Sequence, residues 1–394
     1  MDLRSNRIKN IPESATIAMA AKAREMKQNG VDVISLSLGE PDFKTPDHIV
    51  EGTIKEMRTG NYFSYPPVNG YLDLRELISK KFRKDNNLEY AADQIVVSNG
   101  AKQSIANVFL ALLDPGDEVI VYTPYWVSYT ALIQLAEGKP VFIEGGIEND
   151  FKATAGQLEK AITSKTKAII FSSPCNPTGS VFTAEELEEM AAVLKNHPNI
   201  TVISDEIYEL INFSGKHASI GAIEGMQDRT VTVNGFSKGF AMTGWRIGYI
   251  GAPQWLAKAA NKMQGQITSA NSSIAQRAGV VALSGTMEAT EKMAEAYKHR
   301  RGVVHEMLLE LPGWEVNVPQ GAFYFFPNIQ DNLNRKDIET ATDLCAYLLE
   351  DAHVSLVTGE AFGAPDCLRL SYAASESELK TAIDRLKKSL NKLY

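Results

Sequence analysis

The stretch TVTVNGFSKGFAMTGWRIGYIG, residues 230–251, opens as a β-branched apolar run and ends on polar residues set among glycines. A strand that delivers Ser237 and Lys238 at its carboxyl end belongs to the kind of sheet that binds ligands along that edge. The same pattern recurs upstream. QIVVS (94–98), EVIVYTP (118–124), PVFIE (140–144), KAIIFSSP (167–174) and ITVISDE (200–206) are short apolar runs separated by helix-like segments, which predicts a mostly parallel sheet covered by helices. SNGAKQ (98–103), PYW (124–126), SPCNPTG (173–179), DEIY (205–208) and FSKG (236–239) sit at five of these strand ends. That clustering predicts a site.

Farther out, SATIAMAAKAREMKQNG (14–30) has helical spacing, with Ser14 or Thr16 able to cap it and Gly30 to end it, and VDVISLSLGEPDF (31–43) reads as a strand entering a turn. From about Met287 the alternation loosens. A long charged helix, a strand pair around WEVNVPQGAFYFFP (314–327), a further helix, strand material at 352–359 and 367–373 and a last helix suggest a smaller α+β domain. The expected division is an N-terminal arm with part of the small domain (1–48), a large domain (49–286) and a small C-terminal domain (287–394). YKHRRG (297–302) reads as a solvated helix face, and the six histidines, His48, His197 and His353 among them, read as surface groups.

A chain of 394 residues with a net charge of −8 suits two cores and lacks the overall basic balance of a nucleic-acid binder. No apolar run reaches the length of a membrane helix. Three scattered cysteines neither frame disulfides nor space a metal site, so a reducing cytoplasm is the expected compartment.

The chemistry follows from the strand ends. Lys238 among small residues is partly desolvated, which favours the neutral amine of a Schiff-base lysine. Arg246 can hold a phosphate through its planar fork and Ser237 can add a hydroxyl. Gly100 and Ala101 open a helix whose first amides can face the same dianion. Asp205, ending an apolar strand, needs a positive partner such as a protonated pyridine nitrogen. Tyr208 and Asn176 can reach a phenolic oxygen on that ring, and Trp126 offers a stacking face. Together these features describe pyridoxal 5′-phosphate.

With PESAT (12–16), SLGEPDF (37–43), SYPPVNGYLDLR (64–75), NGFSKGFAMTGWRIGY (234–249), PQGAFYFFP (319–327) and LRLSYA (368–373) beside the strand ends, the chain resembles the class I aminotransferases of fold type I, in the bacterial aspartate aminotransferase branch. The resemblance implies a large domain with a mostly parallel seven-stranded sheet between helices. It implies that Arg369 binds the substrate α-carboxylate, with Gly39 and Asn176 touching it. Tyr65 is expected to reach a neighbour's cofactor in a homodimer with shared active sites. Lys102 and the segment with Ser14 and Thr16 resemble groups that receive a distal carboxylate. Aspartate and 2-oxoglutarate are then the expected substrates, with prephenate transamination, another specificity or C–S lysis as the alternatives.

Overall fold

The computed structural model describes residues 3–9, 11 and 15–394. Strands are numbered in chain order. After a two-residue piece, β1 (Ile34–Ser35), come β2 (Ile95–Ser98), β3 (Glu118–Thr123), β4 (Lys139–Glu144), β5 (Thr166–Ser172), β6 (Thr201–Asp205), β7 (Thr230–Gly235) and β8 (Gly248–Gly251). These last seven form one sheet in the order β2-β8-β7-β6-β5-β3-β4. Neighbours are parallel except at β8, which runs antiparallel to both β2 and β7. The six apolar runs all become strands of this sheet. The seventh strand, GYIG, has no apolar run to announce it. Its first glycine is required by packing, because a Cβ on Gly248 would collide with the backbone of Gly100 and Ala101.

Apolar side chains cover both faces of the sheet. On one side Ile105, Val108 and Phe109 of helix Ala101–Leu112 and Leu256 and Ala260 of helix Gln254–Ile267 pack on Val119, Ile170 and Val231. On the other, Leu187, Met190 and Leu194 of helix Ala184–Lys195 pack on Ile169, Phe171 and Val202. Each fully buried Leu or Phe contributes about 1.5–3 kcal/mol. Helix Ala184–Lys195 starts where Thr183 and Glu186 satisfy each other's backbone amides in a capping box.

The C-terminal part contains helices Glu288–Leu308, Ala341–Asp351 and Glu376–Leu390 with β9 (Tyr324–Phe325), β10 (Val354–Ser355), β11 (Val357–Thr358) and β12 (Leu368–Ser371). β11, β12 and β9 form an antiparallel sheet, and β10 pairs in parallel with β1. The strand pair expected over 314–327 is reduced to β9 and an isolated Glu315–Asn328 bridge. Pro319 and Pro327 have no N–H to offer a ladder, and the amides of Gln320 and Gly321 donate instead to Gly179 O. Nor is 297–302 a freely solvated face. Arg300 donates to Asp42 and Arg301 to the Pro319 carbonyl. Among the described residues, no helix is long and apolar enough to cross a membrane.

Candidate active site

Parallel strands bring their carboxyl ends to one edge, and a cavity of about 510 Å³ opens there. Its lining takes Ala101 and Lys102 after β2, Trp126 after β3, Asn176 after β5, Asp205 and Tyr208 from the end of β6, Ser237 and Lys238 after β7, and Arg246 before β8. Gly39, which follows β1, and Arg369 of β12 also line the cavity. Nearly every sequence-predicted site residue is therefore gathered in one place.

Lys238 Nζ donates to Gly39 O at 2.6 Å and lies 5.6 Å from the Tyr208 ring centre. Burial pushes its pKa down to about 8, since a low-dielectric pocket disfavours the ammonium. Asp205, 3% exposed, accepts from Tyr129 Oη at 2.6 Å and from Ile207 N at 3.3 Å. Burial pushes its carboxyl up to about 6. The pKa values of a buried amine and a buried carboxyl thus both move toward pH 7, the range in which a proton acceptor or donor is best matched to its task.

Arg369 is 2% exposed. Its Nη1 donates to Asn176 Oδ1 at 2.9 Å and its Nη2 to Ser37 O at 2.6 Å, while Nε has no hydrogen-bond partner among the described residues. This is a buried guanidinium whose hydrogen bonds go to neutral oxygens, a receptor for a carboxylate. Arg246, in the left-handed region at φ 56°, likewise donates to carbonyl oxygens, those of Thr243 and Asn99. A Cβ at Gly100 would come within 2.6 Å of Arg246 Nη2, so only glycine leaves the guanidinium beside the first amides of helix Ala101–Leu112. Those amides lack acceptors within the helix. Together they can receive a dianion. Lys102 Nζ lies 5.1 Å from the Trp126 ring centre, and burial, helped by the nearby Arg246 charge, lowers its pKa.

Tyr65 lies outside this cavity, 94% exposed. Ser14 and the side chain of Thr16 lie outside the described residues. Two lining residues had no signal in the sequence. Neither Tyr129, whose hydroxyl donates to Asp205, nor Tyr324, whose hydroxyl is 2.7 Å from that of Tyr208, was among the candidate residues. One histidine departs from the expected surface role. His217 is enclosed, with Nε2 2.9 Å from Glu206 Oε2. That contact belongs to a polar network apart from the cavity. Within it Glu206 accepts also from Ser204, Asn86 and Ser219, and Lys81 pairs with Glu209.

Comparison with known proteins is consistent with this geometry. The family described as aminotransferase class I and II matches residues 31–386. The aspartate aminotransferase of Geobacillus stearothermophilus is 45% identical over 384 residues, 97% of either chain. A bifunctional aspartate aminotransferase and glutamate/aspartate-prephenate aminotransferase of Petunia hybrida is 45% identical, covering 98% of this chain and 82% of its own. The crystal structure of the Rhizobium meliloti aspartate aminotransferase superposes with a TM-score of 0.95 at 41% identity, covering 99% of both chains. With the sheet, the strand-end residues and this full-length similarity in agreement, the chain belongs to the class I and II aminotransferases and has their fold type I architecture.

Proposed function

We propose that the protein is a pyridoxal 5′-phosphate-dependent aspartate aminotransferase, moving the amino group between L-aspartate and 2-oxoglutarate in a two-stage ping-pong cycle. The observation that carries the substrate reading is that three cations besides Lys238 line one cavity, and with Arg246 given to the phosphate, Arg369 and Lys102 remain for the two carboxylates of one substrate.

The residues present fit the cofactor. Arg246, Ser237 and the amides after Gly100 would hold its phosphate, Asp205 its ring nitrogen, Tyr208 and Asn176 its phenolic oxygen, Trp126 its ring face and Lys238 its aldehyde carbon. When bound, that cofactor supplies a carbonyl for the substrate amine and an electron-withdrawing ring. The rest falls to the chain. Arg369 binds the α-carboxylate, with Asn176 and the backbone of Gly39 beside it, and Lys102 binds the distal one. Lys238, neutral above about pH 8, takes the proton from the substrate Cα and would pass it to the cofactor's aldehyde carbon, and it runs that transfer in reverse during the second half of the cycle. Asp205 supplies the negative charge that keeps a protonated nitrogen favourable.

We read the active unit as a cytoplasmic homodimer in which Tyr65 serves the neighbour's phosphate. The exposure of Tyr65 and of Phe63, 70%, supports a covering partner. The domain division at 48 and 286 is part of the same reading, supported by the pairing of β1 with β10. A second reading, activity on prephenate as well as aspartate, is favoured by the similarity to the Petunia enzyme.

The test is a half-reaction. Cofactor-loaded protein is mixed separately with aspartate, prephenate's amino product, phenylalanine, alanine and a thioether amino acid, and the absorbance of the bound cofactor is followed. Rapid bleaching with aspartate and weak response to phenylalanine and alanine is expected. Release of pyruvate and ammonia without bleaching would make the protein a lyase and sink the proposal.

A further inference from the structure

The Tyr208 and Tyr324 hydroxyls are 2.7 Å apart, with both rings buried and crossed edge to face at 78°. Tyr208 follows β6, the strand that ends on Asp205. Tyr324 belongs to β9, which pairs with the strand carrying Arg369. The hydroxyl pair therefore ties the two halves of the cavity wall together. Two further contacts converge on Tyr324. The Arg369 guanidinium lies over its ring at 4.6 Å, and a Cβ on Gly39 would come within 2.5 Å of its hydroxyl. Gly39 is the residue whose carbonyl holds Lys238 Nζ.

A phenol has one proton to donate and two lone pairs to accept with. If Tyr208 donated to Tyr324, it would have nothing left to donate into the cavity. The reverse sense frees the Tyr208 proton, and each bond in such a chain strengthens the next. A cation over the Tyr324 ring makes that phenol the better donor. Burial raises both phenols above their ordinary value, and Arg369 lowers each in part. The charged groups facing the pair are Lys238, Arg369, Asp205 and Glu40.

We propose that Tyr324 is a positioning residue: its hydroxyl donates to Tyr208, leaving the Tyr208 proton directed into the cavity, and the same hydroxyl fills the space above Gly39 that any side chain would need. This rests on the cofactor reading above, in which Tyr208 donates to the cofactor's phenolic oxygen. Donation to that oxygen favours its deprotonated form.

The experiment is a spectrophotometric pH titration of the bound cofactor in wild type, Tyr324→Phe, Tyr208→Phe and the double variant. Tyr324→Phe removes one oxygen and should raise the midpoint by about half a pH unit to one unit. Tyr208→Phe should raise it further. The double variant should match Tyr208→Phe alone, because the effect of Tyr324 passes through Tyr208. Additive shifts, or no shift in Tyr324→Phe, overturn the inference while leaving the cofactor reading intact. A wild type that takes up no cofactor overturns both.

A second arm tests the space-filling role by cofactor affinity, measured by fluorescence titration. Gly39→Ala should weaken binding at least about tenfold, since the new methyl is forced against the hydroxyl. Tyr324→Phe should recover most of that loss, because the nearest remaining ring atom is at 3.6 Å, an ordinary contact. Failure of the rescue overturns the steric half of the inference.

Discussion

Asp205 and Glu206 are consecutive buried carboxylates at the end of β6, and their surroundings differ in kind. Asp205 faces the cavity, takes hydrogen bonds from one phenol and one amide, and is pushed up to about 6 by burial. Glu206 points into a network that leaves its oxygens fully engaged, by Ser204, Asn86, Ser219 and His217. Next to it, burial would raise the Glu209 carboxyl, yet Lys81 and His217 outweigh burial and hold it below its ordinary value. The network pairs its charges and stabilises the fold. The site keeps capacity in reserve and strains the fold. The same chemical group, one residue apart, serves opposite ends.

Substitutions can break or sharpen that contrast. The largest effect belongs to the site. Lys238→Ala should slow the aspartate half-reaction by about 10⁴-fold or more in a single-turnover assay, with the urea midpoint unchanged or raised. Undiminished turnover would remove the amine from the chemistry.

Next comes the network. Glu209→Gln leaves Lys81 buried without its partner and should cost about 3–5 kcal/mol in urea unfolding. The cofactor spectrum of the folded fraction should stay as in wild type. A loss of under about 1 kcal/mol would mean that the network is dispensable.

Asp205→Asn should act with the opposite sign. A raised folded pKa means that the carboxyl's cost is absent below the ordinary value of 3.8 and is complete once the pH has risen through about 6. At pH 8 the cofactor-free variant should therefore be more stable than wild type by on the order of 1–3 kcal/mol, and the difference should vanish near pH 3. Equal stabilities at pH 8 would contradict a strained Asp205.

The smallest effect concerns His217. Burial disfavours its charged form, but Glu206 and Glu209 override this and raise its pKa above the usual value. Its stabilisation is then complete below pH 6.5 and fades as the pH rises through the folded value. The stability gap between wild type and His217→Asn should shrink from pH 6 to pH 9. A constant gap would show an uncharged ring throughout.

The sequence exposed the site far better than the network. Lys238 and Asp205 were legible because each interrupts an apolar β-branched stretch at the place where parallel strands deliver ligand-binding groups. Tyr129 and Tyr324 were not, because an aromatic inside WVSYTALI or GAFYFFP is indistinguishable from core filling until its hydroxyl has a neighbour. The network was invisible for another reason. Asn86, at the end of a π-helical turn over Phe82–Asn86, meets Glu206 across 120 positions, and no local period encodes that meeting. His217 was misread as a surface group on the same grounds. The short strands were legible as regions, since 31–43, 352–359 and 367–373 hold β1, β10 with β11, and β12, but two-residue pieces carry no alternation to fix their bounds.

The pairing of Ile34 with Val354 and Ser35 with Ser355 has a consequence for biosynthesis. At a translation rate of about 5–20 residues per second, the first of these strands waits roughly 16 to 64 s for its partner to emerge. Gly39, just beyond it, supplies the carbonyl that holds Lys238 Nζ. The ribosome therefore finishes the sheet that carries Lys238 long before it releases the segment that completes the wall around that lysine. A nascent chain stalled near residue 300 would carry the amine in an open, unfinished cavity.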